Sequence, residues 1–116
     1  MYSQNQVTLV GNLGATPELK TLDSGKKLLN VSIAVNMGYK DKEGNQIDQT
    51  EWHRITAWGK TAEIMSNLAK GDRVQVIGQL RSRNYEDKEG TTRYVTEVNA
   101  ANIMKIARME KAAAPF

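Results

Sequence analysis

A chain of 116 residues is sized for one domain with a single core; with no cysteine and one histidine, His53, it excludes disulfide scaffolds, thiolate zinc sites and cysteine nucleophiles. Sixteen Lys plus Arg against thirteen Asp plus Glu leave a formal net charge of +3, a modest lean toward polyanionic partners. The opening MYSQNQ has no basic stretch leading into an apolar one, and nowhere do about 18 apolar residues run together as a membrane span needs, so a cytoplasmic protein with no membrane partner is expected.

Val7, Leu9, Gly11 and Leu13 alternate with Thr8, Val10 and Asn12, a half-buried first strand. Asp23-Ser24-Gly25 is a turn. Leu29, Val31, Ile33, Val35 and Met37 then alternate with Asn30, Ser32, Ala34 and Asn36, predicting a long second strand with the first set toward the core. After a charged loop from Tyr39, TEWHRITAWG over Thr50 to Gly59 is rich in β-branched and aromatic types and reads as the third strand. There the period changes: Ala62, Met65, Leu68 and Ala69 share one face of a short helix over Thr61 to Lys70, which Gly71 would end in a left-handed cap. A fourth strand carries Val74, Val76, Gly78 and Leu80 on its core side, and a fifth covers about Arg93 to Ile106.

Three strands, a short helix and two strands is the order of an all-β, five-stranded Greek-key OB barrel with the helix between strands three and four; the runner-up is another small barrel or sandwich with an inserted helix. The same order accounts for a repetition. YKDKEG at Tyr39–Gly44 returns as YEDKEG at Tyr85–Gly90, while the flanks keep only Thr50-Glu51 and Thr96-Glu97 in register. Two long hairpin loops, joining the second strand to the third and the fourth to the fifth, explain it without a duplication, glycine supplying the turn geometry.

Because side chains alternate across a strand, the face opposite the core can be read directly. In the third strand Trp52, Arg54, Thr56 and Trp58 share a face, with His53, Ile55 and Ala57 on the other. In the fourth, Arg73, Gln75, Ile77, Gln79, Arg81, Arg83 and Tyr85 stand opposite Val74 and Val76. Core packing is the usual fate of tryptophan, a solvated strand face that of arginine, and loop anchoring that of Tyr39 and Tyr85. Against core packing, Ile55 and Ala57 already supply an apolar face, and an arginine between two tryptophans is hard to bury. One chemistry needs them all together: unpaired bases expose flat π-faces on an anionic backbone, so their binder interleaves aromatic platforms with cations. Tyr39, Trp52, Trp58 and Tyr85 with Arg54, Arg73, Arg81 and Arg83 meet that need, and Lys40, Lys42 and Lys88 in the hairpins extend the cationic track.

VTLVGNLGATPEL at Val7–Leu19, QTEWHRITAWGKTAE at Gln49–Glu63 and KGDRVQVIGQLRSRNYEDKEGTTRYVTEV at Lys70–Val98 closely resemble, in collinear order over about Asn5 to Met104, the bacterial-type replicative single-stranded-DNA-binding proteins. The resemblance implies an OB fold assembled as a homotetramer, around which single-stranded DNA wraps without sequence preference in replication, recombination and repair. The family's stacking aromatics match Tyr39, Trp52, Trp58 and Tyr85; members often carry Trp at the two tyrosine positions and Phe at that of Trp58. It also places His53 near a subunit interface.

No catalytic constellation emerges. His53 lacks a Cys or second His partner, Asp41/Glu43 and Asp87/Glu89 sit in hydrophilic loops as solvated charge, and no phosphate-binding glycine loop is present, so no enzyme, metal or cofactor is expected. The last residues, ARMEKAAAPF, depart from the family, whose members continue into a Gly, Pro and Gln-rich linker ending in an acidic run and Ile-Pro-Phe that docks on replication and repair proteins. The expectation is an OB-fold binding and oligomerisation domain over 1–106 and a short, flexible tail over 107–116. In that tail Pro115 and Phe116 keep a terminal carboxylate motif but lack the acid run that steers it to a basic partner. Two other functions fit the residues: an RNA-binding OB protein or replication-restart relative, and an interaction barrel whose aromatics form a subunit contact.

Overall fold

The computed structural model describes residues 3–107. The chain runs through β1 (Val7–Leu13), β2 (Leu19–Thr21), β3 (Lys27–Asn36), the short pair β4 (Tyr39–Lys40) and β5 (Gln46–Ile47), β6 (Thr50–Trp58), helix α1 (Gly59–Met65), β7 (Arg73–Glu86) and β8 (Thr92–Ala107). Hydrogen-bonded neighbours follow the order β1-β7-β8-β6-β3-β2, and a β1–β3 pairing closes five of these strands into a ring. All pairings are antiparallel except β6–β8, where Ile55 faces Val98 and Thr56 faces Asn99. This is the five-stranded OB barrel expected, with α1 between its third and fourth strands.

Alternation fills the barrel. Leu29, Val31 and Ile33 from β3, Ile55 and Ala57 from β6, Val74 and Val76 from β7, and Val98 and Ala100 from β8 are buried together with Leu13. Ala62 and Met65 of α1 join them at the barrel's end. Each fully buried aliphatic side chain contributes about 1.5–3 kcal/mol. Close crossing of strands depends on glycine at one point in particular: a Cβ on Gly78 would stand 2.2 Å from the Asn99 carbonyl oxygen.

Four details differ from the sequence reading. The helix ends at Met65, short of Lys70: Ser66 Oγ and Asn67 Nδ2 both donate to the Glu63 carbonyl, at 2.6 and 3.3 Å, and the turn tightens, with Asn67 N–H donating to Ile64 O. Gly71 keeps its left-handed backbone, φ 91, but beyond that turn. Leu80 and Met37, expected in the core by alternation, are 48% and 51% exposed because their strands overrun the barrel. A short β2 follows the first strand and pairs with the start of β3 across the predicted turn, where Gly25 has φ 88. Finally, β8 changes phase. Ile77 faces Asn102 but Gly78 faces Ala100, leaving Ala101 as the extra residue of a bulge, so that Val98 and Ala100 point inward before it and Ile103 after it.

The two repeated loops share one turn. Asp41 Oδ1 accepts the N–H of Glu43 and of Asn45 at 2.9 and 2.8 Å, and Asp87 Oδ1 accepts those of Glu89 and Thr91, both at 2.9 Å. Gly44 and Gly90 close the turns at φ 84 and 80. The two aspartates are therefore turn organisers, beyond the solvated charge assigned to them from sequence, and the repetition is a local folding code written twice.

Candidate nucleic-acid interface

The outward face of β6 carries Trp52, Arg54, Thr56 and Trp58, and strand register extends it on both sides. Across β3 these face Ala34, Ser32, Asn30 and Leu28. Through β8, Thr56 stands beside Asn99, and Glu97, on the same face, is opposite Arg81 of β7. Arg81, Arg83 and Tyr85 therefore continue one surface begun by the tryptophans. Thr56 alone of the β6 set is buried, in the bottom of this surface, with its Oγ1 2.9 Å from Asn30 Oδ1. Trp52 is 61% and Trp58 43% exposed, against the burial usual for tryptophan.

Glu97 organises the cations. Its side chain is 10% exposed; Arg83 Nε donates to Oε1 at 3.3 Å, and Arg54 Nε lies 3.3 Å from Oε2 in an ion pair without hydrogen-bond geometry. The two guanidiniums, from β6 and β7, are thus drawn to one carboxylate at the floor of a hollow. A groove of about 450 Å³ beside it is lined by Thr56, Trp58, Leu80, Arg81, Ser82, Arg83, Glu97 and Asn99. Arg83 Cζ also lies 6.0 Å from the Tyr85 ring centroid, within reach of a cation–π attraction. Sequence reading passed over Glu97, because its partners come from two other strands, Arg83 through the β7–β8 pairing and Arg54 through the β6–β8 pairing.

The remaining candidates divide. Tyr39 stands exposed on the β4–β5 hairpin with Lys40, and Lys42 lies in its turn; Lys88 is in the β7–β8 turn. In that second turn Arg93 Nε donates to Asp87 Oδ2 at 3.0 Å, and this bond, with those from the Thr91 and Glu89 amides, holds the Asp87 carboxyl below its ordinary range against a smaller opposing effect of desolvation. Arg73 is not brought to the cluster: it begins β7, opposite Asn12 of β1, ten positions from Arg83 and so roughly 33 Å along the strand. His53 is opposite Ile33 of β3 and half-buried, its Nε2 3.7 Å from Glu51 Oε2. Tyr94, 79% exposed and opposite Asn84, lies on the reverse face of the β7–β8 ribbon and was not singled out from sequence. Pro115 and Phe116 lie outside the described residues. Among the described residues no helix is long and apolar enough to cross a membrane.

Residues 4–106 match the model of the single-strand binding protein family. The chain is 42% identical over 112 residues to Single-stranded DNA-binding protein 1 of Xylella fastidiosa, covering 95% of this chain and 82% of that protein. It is 45% identical over 96 residues to Single-stranded DNA-binding protein 1 of Chlorobaculum tepidum, covering 81% of this chain and 59% of that one. Among solved structures, the Plasmodium falciparum SSB complex with ssDNA superposes with a TM-score of 0.79 at 26% identity, over 91% of this chain and 97% of that one. With a family match across nearly the whole described barrel, and relatives above two-fifths identity, the chain belongs to the single-strand binding protein family.

Proposed function

We propose that the protein binds single-stranded DNA without sequence preference and protects exposed strands during replication, recombination and repair, as a homotetramer in the cytoplasm associated with the nucleoid. It is a binding protein and not an enzyme. The observation that carries this reading is the single surface on which exposed Trp52 and Trp58 flank Arg54 and meet Arg81, Arg83 and Tyr85 across β8. Every base has a π-face that an indole or phenol ring can meet, so stacking holds the strand irrespective of sequence, while guanidiniums neutralise the phosphates between stacked bases. Tyr39 and Tyr85 extend the platform at the two hairpins, Lys40, Lys42 and Lys88 extend the track, and Arg73 contacts only a strand that wraps to the far end of β7.

Assembly falls to other surfaces of the same unit, residues 1–106. Val10, Gln75 and Met104 lie in register across β1, β7 and β8, and both Val10 and Met104 are exposed there; covering such a face with another copy removes apolar surface from water. His53 lies near a second contact. Titrating the protein with poly-dT while following tryptophan emission at several salt concentrations tests the reading. Saturable quenching that weakens with salt is expected; unchanged emission, or stronger binding to poly-U than to poly-dT, would overturn it.

A further inference from the structure

Trp58 is a wall shared by two grooves. On one side lies the hollow containing Arg81, Arg83 and Glu97; on the other, a groove of about 570 Å³ is lined by Gly25, Lys26, Lys27, Gly59, Lys60 and Glu63. We infer that the bound strand does not stop at Trp58 but crosses it, so that the next nucleotide lies in this second groove with its phosphate between Lys26 and Lys60. The inference rests on the reading of the arginine surface as a single-strand platform.

Shape, charge and continuity each support it. The groove's volume falls in the range of sites that enclose a small ligand. Its two glycines, Gly25 at φ 88 and Gly59 at φ 58, hold backbone conformations that side-chained residues rarely adopt, and a Cβ on either would meet nothing within 4 Å, so the approach is open. The lining includes the Trp58 indole and three lysines, and a lysine offers an apolar methylene stem as well as a charged end, a combination that suits a base and its phosphate together. The lining holds three lysines against one glutamate. Lys27 Nζ is already committed to Glu63 Oε1 at 2.9 Å, while Lys26 and Lys60 form no ion pair among the described residues. A linear polyanion already stacked on Trp58 is the occupant that both grooves fit, because the indole that ends one begins the other.

Two measurements on the intact protein test this. In the first, lysines are acetylated with and without a saturating dT oligomer of about 16 nucleotides, and modification is read by mass spectrometry. Lys26 and Lys60 are expected to be protected severalfold by the DNA. In the second, the Lys26→Gln/Lys60→Gln double variant is titrated by tryptophan quenching, and its log–log salt slope is expected to flatten by about 0.7, the value for the one single-strand phosphate that the two lysines share. Quenching in the same samples separates the two possible failures. If no DNA quenches the tryptophans, the platform reading fails. If quenching is normal but Lys26 and Lys60 are acetylated equally in both conditions, the second groove is not on the path. Protection with an unchanged slope overturns the inference too, since a covered lysine that neutralises no phosphate is not part of a track.

Discussion

The indole of Trp52 lies over Gly14: a Cβ on that glycine would stand 2.5 Å from Trp52 Cζ3 and 3.2 Å from Cη2. The Gly14 N–H donates to Ser32 O at 2.9 Å, which pins the backbone beneath the ring to β3 and leaves the indole as the part that must give. The benzo edge of the indole therefore rests on bare backbone, while most of the side chain stays exposed. Gly14→Ala is expected to lift the indole, shift the emission of the free protein and weaken dT binding, with little change in Tm. An unshifted spectrum with unchanged affinity would show that the ring has slack.

Trp52→Ala and Trp58→Ala should each weaken binding by ~1–3 kcal/mol, a range per stacked base that is characteristic of single-strand binders of this very family and is adopted as such. Since both side chains are exposed, thermal unfolding should hardly move. Loss of the fold in both variants would assign the indoles to packing instead.

Salt dependence reports the arginines. Each of Arg54→Gln, Arg81→Gln and Arg83→Gln is expected to flatten the log–log dependence of affinity on salt by about 0.7, equally for dT and dC oligomers, because phosphate contacts carry no base information. Arg73→Gln should leave the slope for short oligomers unchanged, given its place at the start of β7. A loss at Arg73 equal to that at Arg83 would mean that even short strands reach around the barrel.

On the proposed reading Glu97, which lies 3.3 Å from both Arg54 and Arg83, competes with the phosphates for them. Replacing the carboxylate by its neutral isostere, Glu97→Gln, removes a negative charge from the floor of the groove and is expected to tighten binding severalfold at low salt, with a steeper salt dependence. Weaker binding would instead identify Glu97 as the anchor that aims the two guanidiniums.

These contrasts show which features alternation carries and which it does not. Period two placed Trp52, Arg54 and Trp58 on one face and Ile55 and Ala57 on the other, because a central barrel strand has one wet side and one dry side. The same rule misplaced Leu80 and Met37, since it describes a face but not where a barrel ends. The Ala101 bulge and the role of Glu97 were equally invisible, one being a change of register and the other a meeting of three strands. Ser66 and Asn67 did signal an early helix end through their side chains, against the apolar spacing that favoured a longer one.

The β7–β8 turn should resist acid. Asp87 has its folded pKa lowered, so its contribution to the turn is fully present above the unfolded carboxylate value of about 3.9 and is lost only as pH falls through the lower folded value. The amide resonances of Glu89 and Thr91, which donate to Asp87, are expected to keep their native shifts below that value, and in Arg93→Ala to titrate closer to it. Titration of both amides at the ordinary carboxylate pKa in the unaltered protein would remove Arg93 from the turn.

Assembly can be separated from DNA contact. Met104→Glu, opposite Gln75 on the β1–β7–β8 face, and His53→Lys, opposite Ile33 of β3, are each expected to shift sedimentation from tetramer toward smaller species while tryptophan quenching by short dT survives. A wild-type monomer at micromolar concentration would dispose of the tetramer.

Beyond Leu80 and Val98, the β7–β8 ladder continues from Arg81↔Glu97 to Glu86↔Thr92 as a two-stranded ribbon whose β7 residues are all exposed. Such a ribbon can open or bend without dissolving the barrel, and its amides should exchange with solvent far faster than those of Val74 and Val76. Trp52 and Trp58 ride on a strand fastened to the core; Arg83 and Tyr85 ride on the ribbon. The proposed interface is thus half anvil and half hinge: the fixed half would set where a base lands, and the hinged half would take up the uneven spacing of a chain that has no helix of its own to keep it regular.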